Sequence, residues 1–258
     1  MEKYSVLTYI IGDYEIVHEI KEKSPNAEYI LVTDNPNIKS DTWEVKYIYD
    51  ITGTDGNTST FDKCYFIRMF PFKFVNTNIV VRIDGDVEVK KNLDTIIEKF
   101  IEGNYDMSLM IHPDRNNFLI EYNTWNIQRG LSIEEINNVK NIFDIFGYDN
   151  EYKGMFQGCF AIHKNNKLNN DALLITYALM KYCGYSNGNI ARLDQVLFSY
   201  VMNKLYSNSN IMAVSQELYT KSPYFQSYYH KSNTKASNRT TIQSYMFNKE
   251  IKPIEFNE

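Results

Sequence analysis

Ile79-Val80-Val81-Arg82-Ile83-Asp84-Gly85-Asp86-Val87-Glu88-Val89 is the stretch on which the reading of this chain turns. Its first half is a run of β-branched apolar residues, the composition of a strand buried on both faces. The run stops at two carboxylates separated by glycine. In an extended backbone Asp84 and Asp86 project to the same side. Gly85, with no Cβ, lets the main chain turn or lie close to a neighbour. Carboxylates at the end of a buried strand resist desolvation unless something positive meets them. A divalent cation with oxygen ligands, sharing phosphates as its other partners, meets that need. The alternative is a turn carrying two solvated acids.

Upstream, Ser5 to Ile11 reads as a buried strand closed by Gly12-Asp13. Tyr14 to Lys23 places Ile16, Val17 and Ile20 at helical spacing and predicts a helix. Tyr29 to Thr33, ending at Asp34-Asn35-Pro36, and Trp43 to Tyr49 are the second and third strands. Strand, helix, strand at this spacing predicts a right-handed parallel unit, whose ligands gather at the carboxyl ends of the strands. Thr8, Tyr9, Asp34 and Asp84 would lie at that edge. A polar loop over 52–60 leads to a helix over 62–75, bent near Pro71, with Lys63 and Arg68 as its cations. Downstream, helices are expected over 92–101 with Asn92 as N-cap, over 116–146 ended by Gly147, and over 169–183 and 192–206. Strands are expected over 106–111, 155–162 and 211–214. The pattern is α/β: a mostly parallel central sheet flanked by helices, in a single domain over 1–258.

The formal net charge of -5 excludes non-specific nucleic-acid binding, which needs a basic surface. Lysine and glutamate are mixed, so no polybasic membrane patch stands out. Three scattered cysteines, Cys64, Cys159 and Cys183, suit buried thiols in a reducing compartment. The chain opens without the basic and apolar regions of a signal peptide, and no run approaches the ~18 apolar residues of a membrane span. A cytoplasmic protein is expected, and peripheral membrane association would leave no mark. The 21 tyrosines fit sugar-stacking platforms or A/T-rich coding equally well.

A hydrophobic strand ending in D-x-D resembles the D-x-D of GT-A glycosyltransferases. Other segments extend the likeness over roughly residues 60 to 205: Ile83-Asp84-Gly85, then His112-Pro113-Asp114-Arg115 with Glu121, then Arg192-Leu193-Asp194-Gln195-Val196-Leu197-Phe198. In that order they resemble the glycosyltransferase family that includes the plant mucilage-related and turgor-regulation proteins, whose late motif is R-D-Q. Here Leu193 separates the arginine from the acid. The resemblance implies a GT-A, Rossmann-like fold with a nucleotide-binding half over 1–111, an acceptor side over 112–206 and a C-terminal strand and tail over 207–258. It implies a Mn2+ or Mg2+ ion held by Asp84, Asp86 and a late histidine, His230. Thr8, Tyr9 and Asp34 would hold the nucleoside, and Asp84 would coordinate the ion through water or contact the ribose. Lys63, Arg68 and Lys231 would reach the diphosphate, and Gly158 would admit the sugar. Asp194 and Gln195 would act beside the transferred sugar, with retention of configuration. His112, Arg115 and Glu121 would bind the acceptor. The donor implied is a nucleotide-sugar, a UDP-sugar, and the acceptor a glycan or other hydroxyl compound of surface polysaccharide synthesis.

Each assignment has a plainer counterpart. Asp194 can be a helix N-terminal acid complementing the macrodipole. Arg115 and Glu121 can be a structural ion pair, and His112 can end its strand. Lys63 and Arg68 can be solvated cations, His230 an exposed histidine, Gly158 a strand glycine. Two other functions share the central motif: a haloacid-dehalogenase-like phosphatase using Asp84 and Asp86, and a non-catalytic carbohydrate-binding protein. Against the phosphatase, at least two strands precede the motif and no later paired-acid motif is evident.

Overall fold

The computed structural model describes residues 1–52, 58–115, 117, 120–121, 132–147, 154–184, 193–231, 234–236, 245–246 and 249–256. The elements in chain order are β1 (Tyr4–Ile10), β2 (Ala27–Thr33), β3 (Glu44–Tyr47), α1 (Ile48–Thr52), α2 (Thr60–Met69), a 3-10 turn (Pro71–Lys73), β4 (Ile79–Ile83), β5 (Val87–Val89), α3 (Asp94–Glu102), β6 (Met107–Ile111) and α4 (Ile133–Phe146). They continue with β7 (Phe156–Lys164), α5 (Lys167–Gly184), α6 (Asp194–Leu205), β8 (Ile211–Val214), α7 (Glu217–Thr220), β9 (Phe225–Ser227), β10 (Tyr245–Met246) and β11 (Lys249–Glu250). Of the helix expected over 116–146, residues 116, 118–119 and 122–131 lie outside the described residues, as do loop residues 53–57 and Arg192.

Seven strands form one sheet in the order β3-β2-β1-β4-β7-β6-β8. Its pairs are parallel except those that β7 makes with β4 and β6. The carboxyl ends of six strands therefore share one edge, and β7 brings its amino end, with Gly158, to that same edge. The fold is α/β with a mostly parallel central sheet, as the apolar runs required.

Strand alternation divides the core between two faces. Ile79, Val81 and Ile83 pack with Ile96, Ile97 and Phe100 of α3 and with Phe225 and Phe256 from the late chain. On the other face Leu7, Tyr9 and Val80 meet Ile67 of α2. Beyond them Tyr65, Met69 and Leu109 join residues of α4, α5 and α6. Ser132 caps α4 reciprocally with Glu135, the arrangement that satisfies two amides at a helix start. Gly147, at φ 77°, ends it.

Three local expectations are corrected. Residues 14–23 form no helix, because long-range partners take their backbone groups: Lys21 N donates to Val89 O at 2.9 Å, Trp43 Nε1 to His18 O at 2.9 Å, and Ile20 N to Thr42 Oγ1 at 3.0 Å. The β1–β2 crossover is consequently irregular. The helix expected over 62–75 ends at Met69, since Pro71 disfavours helical geometry at the residue before it, and a separate 3-10 turn follows. The helix expected from Asn92 begins at Asp94, although Asn92 Oδ1 still accepts from Asp94 N at 2.7 Å.

Phe100 is fully buried at the centre of the α3 face. Phe100→Ala is expected to lower stability by about 3–5 kcal/mol, measured by urea unfolding.

Candidate active site

At the carboxyl edge, β4 delivers Asp84 and the chain turns at once into β5. Asp84 N donates to Cys159 O of β7 at 3.2 Å, and Val87 N to Asp84 O at 3.2 Å. Gly85 is required by crowding: a Cβ there would lie 2.6 Å from Tyr14 Oη and 2.7 Å from Tyr9 O. Tyr14 Oη takes up that space, donating to Tyr9 O at 3.0 Å and accepting from Gly85 N at 3.1 Å. The D-x-D turn is thus clamped onto the end of β1.

Beside the turn opens a cleft of about 520 Å³ lined by Tyr9, Ile11, Tyr14, Phe61, Tyr65, Arg68, Asp84 and His230, with Thr60 and Cys64. Arg68, from the last turn of α2, sits at its base. Its guanidinium donates to Asp84 Oδ1 at 2.9 Å, to Asp194 Oδ2 and to Tyr9 Oη. Tyr9 Oη donates to Asp84 Oδ1 at 3.0 Å. Burial alone would lower the Arg68 pKa, but Asp84, Tyr9 and Asp194 overcome it and hold the guanidinium charged, above its ordinary range. Arg82, on β4, donates to Gly158 O at 2.8 Å and stands 3.8 Å from Asp84 Oδ1.

Asp86 is placed differently. Burial first, and the Asp84 charge second, push its carboxyl up to about 7, against a lowering by His230. His230 is exposed, with Nδ1 4.0 Å from Asp86 Oδ2 and 3.3 Å from Glu15 Oε2. The paired strands β5 and β9 bring it there, Val87 lying opposite Ser227. Two carboxylates in one half-buried turn, one resisting ionisation, form a site short of positive charge. The donors, carboxylate oxygens and one imidazole, suit Mn2+ or Mg2+. Among the described residues, however, no three His, Cys, Asp or Glu side chains stand together so as to hold a metal, and Asp84 Oδ1 is taken by Arg68 and Tyr9.

Asp194 begins α6 and is buried, its charge met by Arg68. Gly158 lies against this pair: a Cβ there would sit 2.8 Å from Asp194 Oδ2 and 3.1 Å from Arg68 Nη1. Protein side chains thus occupy the space at this glycine. Behind it is a small cavity of about 30 Å³, into whose walls Gln157, Gln195, Arg82 and His163 each bring a buried polar atom lacking a protein partner. That is room for a water molecule with its usual three or four partners.

Several sequence expectations are displaced. Thr8 is buried on the sheet face opposite Tyr9, so it cannot touch a ligand in the cleft. Lys63 is bonded to Asp34 Oδ2 at 3.0 Å and Tyr49 Oη at 2.5 Å, and Asp34 Oδ1 accepts from Gly12 N at 2.8 Å. Neither Lys63 nor Arg68 is a solvated cation. His112 is buried, its Nδ1 accepting from the amides of Asp114 and Arg115 at 3.2 and 3.1 Å. Arg115 pairs with the buried Glu121 at 2.6 Å. The three bond among themselves and do not line the cleft, which favours the structural ion pair. Lys231 meets the site through its backbone amide, bonded to Glu15. Tyr14, Glu15 and Arg82 were missed. The spurious helix over 14–23 hid the first two, although a Gly-Asp break straight after a buried strand marks a ligand edge. Arg82 read as one more residue of an apolar run.

Among solved structures the chain is similar to mouse xyloside xylosyltransferase 1 in its apo form, at 9% identity over 82% of this chain and 85% of that one, with a TM-score of 0.43. No protein-family model matches the chain, and no curated protein matches it. Among the described residues no helix is long and apolar enough to cross a membrane.

Asp86 binds its proton more tightly folded than unfolded. In the metal-free protein its stabilising contribution is therefore full below about pH 4 and is lost as the pH rises through about 7. Asp86→Asn should flatten that part of the stability–pH curve, read by urea unfolding in chelator. Gly158→Ala should cost about 1–3 kcal/mol, since a methyl group must displace the Arg68–Asp194 pair; thermal unfolding checks it.

Proposed function

We propose that this chain is a metal-dependent glycosyltransferase, hexosyltransferase-like, moving a sugar from a UDP-sugar to a hydroxyl of a glycan in surface polysaccharide synthesis. The observation that carries the reading is Asp84 and His230 in the lining of a 520 Å³ cleft, with Asp86 4.0 Å from that histidine and its carboxyl pushed up to about 7. A divalent cation with a diphosphate is the ligand that relieves it.

Asp86, His230 and the second oxygen of Asp84 would hold the Mn2+ or Mg2+. When bound, the ion supplies charge stabilisation to the departing nucleoside diphosphate. The chain's own groups supply the rest. Tyr9 forms one wall of the cleft, and Asp34, fixed by Lys63 and Gly12, stands at the end of the neighbouring strand, where a nucleoside would be held. Asp194, pinned by Arg68, is oriented to accept hydrogen bonds from sugar hydroxyls. Paired with a guanidinium it is a weak nucleophile, so its role beside the anomeric carbon is orientation and charge. Gln195 follows it on the first turn of α6. Retention of configuration remains part of the proposal through this D-Q pair.

The phosphatase reading would have Asp84 attack a phosphate. Its Oδ1 is engaged by Arg68 and Tyr9, and three parallel strands, β1, β2 and β3, precede β4 in the chain. Both features favour the transferase.

Manganese-dependent hydrolysis of a UDP-sugar is expected. Asp86→Ala should reduce it at least 100-fold while the melting temperature stays near that of the parent. UDP and Mn2+ together should raise the melting temperature more than either alone, through linkage. Turnover of a generic phosphate ester with no response to any nucleotide-sugar would replace this reading with the phosphatase. No stabilisation by any nucleotide with metal would leave the carbohydrate-binding scaffold.

A further inference from the structure

We propose that the small cavity behind Gly158 is the site of a single structural water, and that through this water Arg82, Gln157 and His163 act as positioning residues for Gln195. The role beside the sugar rests on the transferase reading above; the water site stands without it.

Three elements supply the polar walls of this cavity. β4 contributes Arg82, β7 contributes Gln157 and His163, and α6 contributes Gln195. Arg82 lies opposite Ala161 in the β4–β7 ladder, and His163 follows two residues on, so both side chains leave the same face of the sheet. Met69, Leu109, Phe156, Leu173 and Phe198 close the rest of the wall. Arg82 is 6% exposed and His163 1%. In such surroundings a polar atom without a partner is costly, and here four collect: Arg82 Nε, Gln157 Oε1, His163 Nδ1 and Gln195 Oε1.

The chemistry of the four selects the occupant. The two glutamine oxygens only accept, and Arg82 Nε–H only donates. Burial, reinforced by the Arg82 charge, holds the His163 imidazole neutral with its pKa down at about 3, so the ring carries one N–H. A water has two hydrogens for the two oxygens. Its two lone pairs serve Arg82 Nε–H and an N–H at His163 Nδ1. An alcohol lacks the second hydrogen, a carboxylate has none to give, and a cation would meet the Arg82 charge. At about 30 Å³ the cavity admits a water and no sugar ring. The same count of hydrogens fixes the His163 tautomer: with Nδ1 as an acceptor, three acceptors would compete for two hydrogens.

Gln195 is then held at both ends. Its backbone carbonyl accepts from Ser199 Oγ at 2.6 Å, and that hydroxyl accepts from Phe156 N at 3.0 Å, tying α6 to the start of β7. Its side-chain oxygen is engaged by the water, which leaves it no part as a nucleophile toward an anomeric carbon. Arg82 completes the frame, giving Nη1 to Gly158 O at 2.8 Å and Nε to the water. Gln195 Cγ would lie 3.4 Å from a Cβ at Gly158, so strand, helix and water pack as one unit beside Asp194.

A crystal structure of the full chain and 15N NMR of its histidine rings test the water site. Expected are one water within about 3.2 Å of all four atoms and a neutral His163 ring protonated at Nδ1, with a cross-peak from that proton to water. A cavity without density, a second water or a larger molecule in it, or an Nε2–H ring would overturn the assignment. The positioning role is read from kcat and KM for UDP-sugar hydrolysis. His163→Leu should lower kcat on the order of 10–100-fold with KM within about twofold. His163→Asn, whose amide N–H takes the place of Nδ1–H, should keep kcat within about threefold of the parent. Equal losses in both variants, or an unchanged kcat in His163→Leu, would overturn the role. If His163→Leu does not fold, Gln157→Met, which keeps the volume and loses the acceptor, takes its place with the same expected loss. A wild type that hydrolyses no nucleotide-sugar would sink the transferase reading and this role with it, while the crystal and the ring would still decide the water.

Discussion

One guanidinium ties the site together. Arg68 reaches from α2 to Asp84 at the end of β4 and to Asp194 at the start of α6, a residue 126 positions further along the chain. A half-buried arginine between two carboxylates is costly to desolvate, and the charge of each member makes the others tolerable. Removing Arg68 would strand two carboxylates in a poorly solvated place. The sheet edge, the α2 terminus and the α6 terminus are therefore held in one relative arrangement by electrostatics as well as by the apolar faces behind them. Gly158 is what lets the three approach, since even a methyl group would collide with the pair.

The same interaction divides the labour of the two aspartates. Asp84 is satisfied by protein donors before any ligand arrives. Asp86, two residues later, faces burial and a like charge, offset by an exposed histidine and a backbone hydrogen bond. In the proposed reading, the frustrated carboxylate is the one that would gain most from a cation. Close packing at Gly85, where Tyr14 fills the space a side chain would need, keeps that frustration from relaxing by movement of the turn.

How much the residues announced depended on how local the determining physics was. The β4 run, its abrupt end in acids, the sense of the sheet and the apolar stripe of α3 are properties of neighbouring residues, and each appeared where composition placed it. The segment after β1 did not: its apolar spacing is helical, yet tertiary hydrogen bonds to Val89, Thr42 and His18 claim its backbone. Glu15 was invisible for that reason. Arg68 and Asp194 were noticed singly, but their pairing is a fact of folding and no motif spacing encodes it. His112, Arg115 and Glu121 bond to one another and to their own backbone, contacts that the spacing of the motif does not announce.

The strap formed by β9 and the Tyr228–Lys231 turn has a consequence for the order of events during synthesis. His230 meets Glu15 across a sequence separation of 215, and Tyr228 meets Glu88 across one of 140. Closing loops of that length is entropically late, and on the ribosome it must wait until nearly all of this sequence has emerged. The face built from Leu7, Tyr9, Val80 and Ile67 can mature beforehand, whereas the α3 face stays incomplete until Phe225 and Phe256 arrive. A nascent chain would thus hold most of its sheet while lacking both the Glu15–His230 contact and the last side chains of one apolar layer.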